Sequence, residues 1–295
     1  MKKVLLPFAC ALCAVAMNAQ DATLISTTPV TIASGFNVDC IAENPMTESS
    51  DKATYPHMDG HHSMLLVNGS STLMFGTVSG GIPADGAIET TSGYKYQLAN
   101  FSGNNDLYLA KKGESGTLVF DAPVEATHIA LLMCATDGPE GCNPHPSYSA
   151  VLNYEDGTSE TVNDRVVADW GCGHARAYRM SQRFRADGQP VENCNLAMAE
   201  DVLPVKAGAK VKSVTVTCET EPAMASWGEL CYGRFNFLAA SALVMQTSGI
   251  DAVAAENAEV VAIYNIAGVK VNDFVKGVNV VKYSDGKVRK IFVNK

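Results

Sequence analysis

The stretches His128-Ile-Ala-Leu-Leu-Met-Cys-Ala135 and Tyr148-Ser-Ala-Val-Leu-Asn-Tyr154 decide the fold of this chain. The first is a short apolar run without alternation, and its length suits a strand buried on both faces better than a helix. The second alternates as a strand with one covered face does. Glu155-Asp-Gly-Thr158 turns the chain back, because Asp-Gly accepts the positive φ of a tight hairpin. Ser159 to Val162 then form the return strand. Between the two strands, Thr136 to Pro146 is a Gly- and Pro-rich loop. After the hairpin, Ala168-Asp-Trp-Gly171 reads as a decorated exit at the rim of a sheet.

Outward from this centre the pattern repeats. Gly35–Ala42, Ser63–Val67, Ser71–Phe75, Ile88–Thr90, Tyr94–Leu98, Leu107–Leu109 and Ser115–Phe120 all read as strands. Asn68-Gly69 marks a turn joining two of them. Residues 21–35 read as a polar, Thr-rich lead-in, and Phe184–Asn195 as a loop. Ala175–Ser181 fits a strand or irregular chain, and Leu196–Leu203 a strand or a helical turn. Lys210-Val-Lys-Ser-Val-Thr-Val-Thr217 alternates cleanly, and Arg234–Val244 closes the region. Short strands between turns, with almost no helical stretch, predict an all-β antiparallel sandwich.

Three segments divide the 295 residues. Residues 1–20 carry Lys2 and Lys3 ahead of the apolar Val4–Ala16, the pattern of a signal peptide cleaved near Ala19 or Gln20. That run is too short to span a bilayer, and no other segment is long enough. Residues 21–247 form the sandwich. Residues 251–295 form a small β module, with strands at Glu259–Asn265, Gly277–Tyr283 and Lys287–Val293. The expected product is exported to the periplasm, cell surface or medium.

The chain carries 22 Lys and Arg against 31 Asp and Glu, a net charge of −9. That balance disfavours nucleic acid, whose phosphates need a basic face. Neutral sugars and peptides are left open. Export permits disulfides. Pairings Cys134–Cys142, Cys172–Cys194 and Cys218–Cys231 would each close a loop, while buried apolar thiols are the alternative.

Two clusters stand out as candidate sites. His57, Asp59 and His61, in Tyr55-Pro-His-Met-Asp-Gly-His-His62, offer imidazole and carboxylate groups to a metal, or serve as ordinary turn chemistry. Asp169, Trp170, His174 and Arg176 offer an indole platform and hydrogen-bonding groups to a sugar ring. Trp227 and Tyr232 are further aromatic candidates. Ahead of the sugar reading stands the core reading, with Trp170 plugging the end of the sandwich and Arg176 paired to Asp169. No nucleophile motif is present, and nothing in the sequence pairs two carboxylates for glycoside hydrolysis.

Val260-Val-Ala-Ile-Tyr-Asn-Ile-Ala-Gly-Val-Lys-Val271, with Gly277-Val-Asn-Val-Val281 and Lys290-Ile-Phe-Val293, resembles the C-terminal β modules of secreted Bacteroidetes proteins. The resemblance implies a β-sandwich tail that serves secretion or surface sorting. Gly35-Phe-Asn-Val-Asp39, Asn105-Asp-Leu-Tyr-Leu109, Thr117-Leu-Val-Phe120, Tyr154-Glu-Asp-Gly-Thr158 and Val167-Ala-Asp-Trp170 resemble the galactose-binding-like jelly rolls that accompany bacterial carbohydrate-active enzymes. That resemblance implies a jelly-roll sandwich, a glycan or cell-surface polysaccharide as partner, and in some members a structural calcium. The sequence therefore points first to a secreted, noncatalytic carbohydrate-binding protein. A structural or adhesive envelope protein that meets another protein comes second, and a glycan hydrolase third.

Overall fold

A computed structural model describes residues 22–43, 58, 63–72, 76–136, 145–171, 176–185, 190–224, 230–231, 233–247, 260–284 and 288–293. Among these residues every regular element is a β-strand. The signal-like segment 1–20 lies outside them. One compact unit spans Leu24–Met245, and the strands between Val260 and Val293 belong to a second.

In chain order, β1 (Ala22–Val30) and β2 (Ile32–Ser34) come first, followed by β3 (Ile41–Ala42) and β4 (Ser63–Leu66). Two ribbons follow: β5 (Ser71–Thr72) with β6 (Gly76–Thr77), and β7 (Ala87–Glu89) with β8 (Lys95–Gln97). Next come β9 (Leu107–Leu109), β10 (Ser115–Glu125), β11 (His128–Thr136), β12 (Ser147–Tyr154) and β13 (Ser159–Val166). The unit finishes with β14 (Tyr178–Arg185), β15 (Pro190–Pro204), β16 (Lys210–Cys218), the ribbon β17 (Ala223–Met224) with β18 (Leu230–Cys231), and β19 (Arg234–Thr247).

Two sheets face one another. The larger has eight strands, in the order β1-β19-β11-β15-β14-β4-β3, with β9 also on β19. The smaller has five, in the order β13-β12-β16-β10-β2. Strand β3 pairs with β4 in parallel. Leu118, Leu152, Val214 and Val216 of the smaller sheet share one buried cluster with Ile129, Leu131 and Met133 of the larger. Tyr148 crosses that gap and packs edge-on against Phe235 and Phe237, ring centroids 5.3 and 5.2 Å away. This is the antiparallel β-sandwich that the sequence predicts.

The larger sheet is covered on its other face as well. Ala130, Leu132 and Cys134 of β11 pack there with Met198, Leu238, Ile82, Tyr96 and Leu98. Strand β11 is therefore buried at every position after His128, which is why its sequence does not alternate. Strand β12 alternates because its outer face meets solvent. Gly157 takes a φ of 86° in the turn between β12 and β13, as Asp-Gly foretells.

Several segments differ from the sequence reading. The polar lead-in 21–35 forms β1 and β2, which are edge strands of different sheets; the chain changes sheet at Thr31. Most of Phe184–Asn195, expected as loop, belongs to β14 and the start of β15. Asn68-Gly69 does turn, yet β4 pairs with β14 and β3 while β5 pairs with β6, so that turn joins no hairpin. Cys134 and Cys218 are free, buried thiols, so the pairings with Cys142 and Cys231 are not formed. Burial raises both thiol pKa values, which leaves them unreactive. Cys172, and with it the pairing to Cys194, lies outside the described residues.

The second unit is a four-stranded antiparallel sheet. Its order is β21 (Lys270–Val271), β20 (Val260–Asn265), β22 (Gly277–Tyr283), β23 (Val288–Val293). Its core is small: Ile263, Val281 and Tyr283, flanked by Val271, Phe274 and Ile291. Val261, Val288 and Phe292 stay exposed.

Candidate functional site

The exit of the central hairpin does not behave as a rim. Beyond Met133 and Ala199, β11 and β15 splay apart, and Asp169-Trp170 enters between them. Trp170 donates its backbone N–H to Ala135 at 2.8 Å, and its carbonyl accepts from the Ala197 N–H at 3.0 Å. Asp169 forms a parallel bridge with Ala135. Trp170 is only 4% exposed, packs in the covered face of the larger sheet, and carries the Arg183 guanidinium 5.5 Å above its ring. Of the two readings of Trp170 the core one holds and the sugar platform is corrected: its surface is occupied by the core and Arg183. Asp169 is 8% exposed and accepts the Gly171 N–H at 2.9 Å, so it too belongs to the insertion.

Arg176 stands elsewhere. Together with Val166–Ala168, Thr91 and Ser92 it lines a cleft of about 300 Å³, whose floor is Ala199-Glu200-Asp201 of β15. The cleft exists because β14 stops pairing with β15 at Tyr178 and Met198. Met198 still accepts from the Ala177 N–H at 2.9 Å, so even-numbered backbone groups of β15 face that side. Beyond it, among the described residues, no strand pairs with this edge of β15, and the Val202 N–H donates to Asp201 Oδ1 at 2.9 Å. The turn between β7 and β8 closes the far wall: the Thr91 N–H donates to the Ala177 carbonyl at 3.1 Å, and Thr91 Oγ1 to the Arg176 carbonyl at 2.9 Å.

Two adjacent carboxylates meet opposite fates on this floor. Glu200 lies opposite Leu132 and turns toward the covered face of its sheet, where Thr90 Oγ1 and Tyr96 OH both donate to Oε2, at 2.8 and 3.3 Å. Burial, then the nearby Glu200 charge, raises the Tyr96 and Tyr94 hydroxyl pKa values, so both phenols remain donors. Glu200 also lines the cleft.

Asp201 turns the other way, between the sheets. Arg165 grips it through Nε at 2.7 Å and through Nη2, and Tyr148 OH donates to it at 2.7 Å. A β-bulge aims Arg165 inward. Tyr148 and Ala150 of β12 face the core two residues apart, whereas their partners Arg165 and Val162 are three apart. The extra residue is absorbed at Asp164, with φ 55°. Without it Arg165 would point to solvent.

Of the residues singled out in the sequence, Arg176 lines this cleft, and Glu200, Thr91 and Ser92, which line it too, were not among them. The available signal was the Glu200-Asp201 pair inside the otherwise apolar run Leu196–Leu203, a costly placement unless each carboxylate is bonded. His174, Trp227, Tyr232, His57, Asp59 and His61 lie outside the described residues. No group of three His, Cys, Asp or Glu among the described residues is placed to hold a metal ion, so no calcium site is assigned. No helix among them is long and apolar enough to cross a membrane. Comparison with protein-family models and with curated proteins gives no match.

Proposed function

We propose that this chain is an exported, noncatalytic carbohydrate-binding β-sandwich whose ligand sits in the cleft over Glu200. One observation carries the reading. Glu200 is anchored through one oxygen by Thr90 and Tyr96, and lines a small cleft alongside Arg176, Thr91 and Ser92. A carboxylate oxygen accepts from sugar hydroxyls, a guanidinium donates to them, and Thr and Ser hydroxyls do either. The volume suits one or two sugar rings rather than a long chain. The resemblance of the sandwich to galactose-binding-like jelly rolls supports the same ligand class. Hydrolysis is disfavoured because Asp201, the second carboxylate of the cleft, is already bonded by Arg165 and Tyr148.

A glycan array probed with the mature protein tests this. The expected result is a restricted set of neutral oligosaccharides, with binding reduced roughly tenfold or more in Glu200→Gln. Folded protein that enriches no glycan, or binding indifferent to Glu200, overturns the assignment.

A second reading, an envelope protein that meets another protein, is favoured by the second unit. Its exposed Val261, Val288 and Phe292 are costly to leave in water on so small a core. In that reading, residues 251–295 act as the sorting or docking tail that they resemble. A reproducible protein partner lost on removing residues 251–295, with no glycan bound, favours it.

A further inference from the structure

The smaller sheet turns a face to solvent with an unusual composition. Residues paired across strands share a face. One rank reads Ser115, Thr217, Ser149. The next reads Thr117, Thr215, Val151, Thr161. The third reads Ser34, Val119, Ser213, Asn153, Ser159. Every rank carries three hydroxyls, of which Ser213 is buried, and no residue in these pairings is ionisable, while Asp164 stands exposed in the bulge of β13 beside the first rank. In a chain that is 18% charged this is informative, because solvated protein surfaces ordinarily carry interspersed Lys, Arg, Glu and Asp. Charges stand at the border instead: Glu219 accepts from Ser149 Oγ at 2.8 Å, and Lys212 lies near the Asp156 turn.

The hydroxyls are ordered by one another. Ser115 bonds Thr217 at 2.7 Å, Thr117 bonds Thr215 at 2.8 Å, and Asn153 Nδ2 donates to Thr215 at 3.2 Å. A hydroxyl has one donor and two acceptor sites, so these bonds fix orientations and leave acceptor capacity outward. The strands lie about 4.8 Å apart and the ranks roughly 6.5 to 7 Å apart, which makes a regular grid. A protein-docking face would offer aromatic or aliphatic anchors, and only Val119 and Val151 are apolar here. An anionic polymer would need cations, which the grid lacks. A repeating, uncharged, hydroxyl-bearing chain matches it in charge and in hydrogen bonding.

We propose that this outer face lies against an extended, uncharged polysaccharide. The inference rests on the glycan reading of the protein and adds a surface for many sugar units to the cleft for one or two. Strand β13 is common to both: Thr161 and Ser159 stand on the face, and Val166 lines the cleft.

The test is depletion of the full chain from solution by insoluble neutral particles of amorphous cellulose, β-1,3-glucan and mannan, at low and high salt. Wild type is expected to deplete on at least one of them, with little salt dependence. Thr117→Val with Thr215→Val keeps the β-branched shape and is expected to weaken depletion roughly tenfold at an unchanged thermal midpoint. Thr117→Lys with Thr215→Lys is expected to abolish it. Depletion that survives both variants overturns the proposal, as does wild type that binds no particle. A wild-type dimer that the lysine variant converts to monomer also overturns it, by making the face a contact between copies. Soluble oligosaccharide binding separates the two sites: its loss in Glu200→Gln and retention in the lysine variant upholds the cleft whatever the particles show.

Discussion

The two sheets of the sandwich share one core and differ in what lies on their other sides. The larger is roofed by loops, by the β7–β8 ribbon and by the inserted Trp170; the smaller carries Ser and Thr hydroxyls on its other side. Strands β11 and β12 show the consequence at the level of single residues. Strand β11 has no position after His128 that tolerates a polar group without a partner, while β12 has one at every second residue. Burial on two faces thus concentrates stability in the larger sheet and leaves the smaller free to carry contacts.

The sharpest way to break that contrast is a matched pair of truncations. Leu132→Ala, on the roofed face of β11, removes a fully buried side chain and should cost about 2 to 5 kcal/mol, most of it as an unfilled cavity. Val151→Ala, on the outer face of β12, should cost under about 1 kcal/mol, since solvent already reaches that side chain. Urea midpoints give both values. Equal losses would mean that the roof of the larger sheet contributes little.

The next largest effect lies at the seam between the sheets. Asp201 is held by Arg165 and Tyr148 with side-chain exposures of 12% for the acid and 32% for the arginine. Replacing Asp201 by Ala strands a part-buried guanidinium and a phenol. A loss of about 2 kcal/mol is expected, below the 3–5 of a fully buried pair because water still reaches Arg165. The Arg165→Ala, Asp201→Ala double mutant should recover part of that loss, and purely additive losses would show that the pair is not coupled.

The larger sheet also buries a carboxyl. Asp106 is wholly enclosed, and burial pushes its pKa up to about 8 even though the Asn236 amide and the Cys40 thiol donate to it. Among the described residues Asp106 Oδ1 and Asn236 Oδ1 have no hydrogen-bond partner, and a proton on the acid would satisfy both. Folded Asp106 then keeps its proton up to about pH 8, whereas an unfolded aspartate releases it near 3.8. Between those values the unfolded chain binds fewer protons, so stability falls as pH rises, by at most about 1.4 kcal/mol per pH unit, and levels off above the folded pKa. Asp106→Asn removes that slope, because an amide supplies the same donor without titrating. Parallel pH profiles of the two proteins would place a charged Asp106 in the core.

The same contrast explains what the sequence disclosed. Strands β11, β12 and β16 were legible because burial on two faces or on one leaves an apolar run or an alternation. Strands β1 and β2 were not. They are edge strands of Ile, Thr and Ser whose pattern is set by long-range partners such as Ser34 with Val119. Trp170 is buried, as its core reading has it, but nothing local signals that β11 and β15 part to admit it. The cleft was half legible. Arg176 lies near an aromatic cluster in sequence, but Glu200 is brought to it by a register that only the folded sheet defines.

The smallest expected effect probes how the smaller sheet reaches across to the larger. Asp164 holds a φ of 55°, and the bulge it makes is what turns Arg165 from the outer face to the seam. Aspartate tolerates that conformation better than most residues, and a β-branched side chain tolerates it poorly. Asp164→Gly should change stability by less than about 0.5 kcal/mol, because relief of strain is offset by the freedom glycine restores to the unfolded chain. Asp164→Val should cost about 1 to 2 kcal/mol. If the bulge is what delivers Arg165 to Asp201, the Val variant should lose most of its further sensitivity to Asp201→Ala as the bulge relaxes. A full additional loss on that background would mean that Arg165 reaches the seam whatever residue 164 does, and that the register of β13 is fixed instead by its pairing with β12.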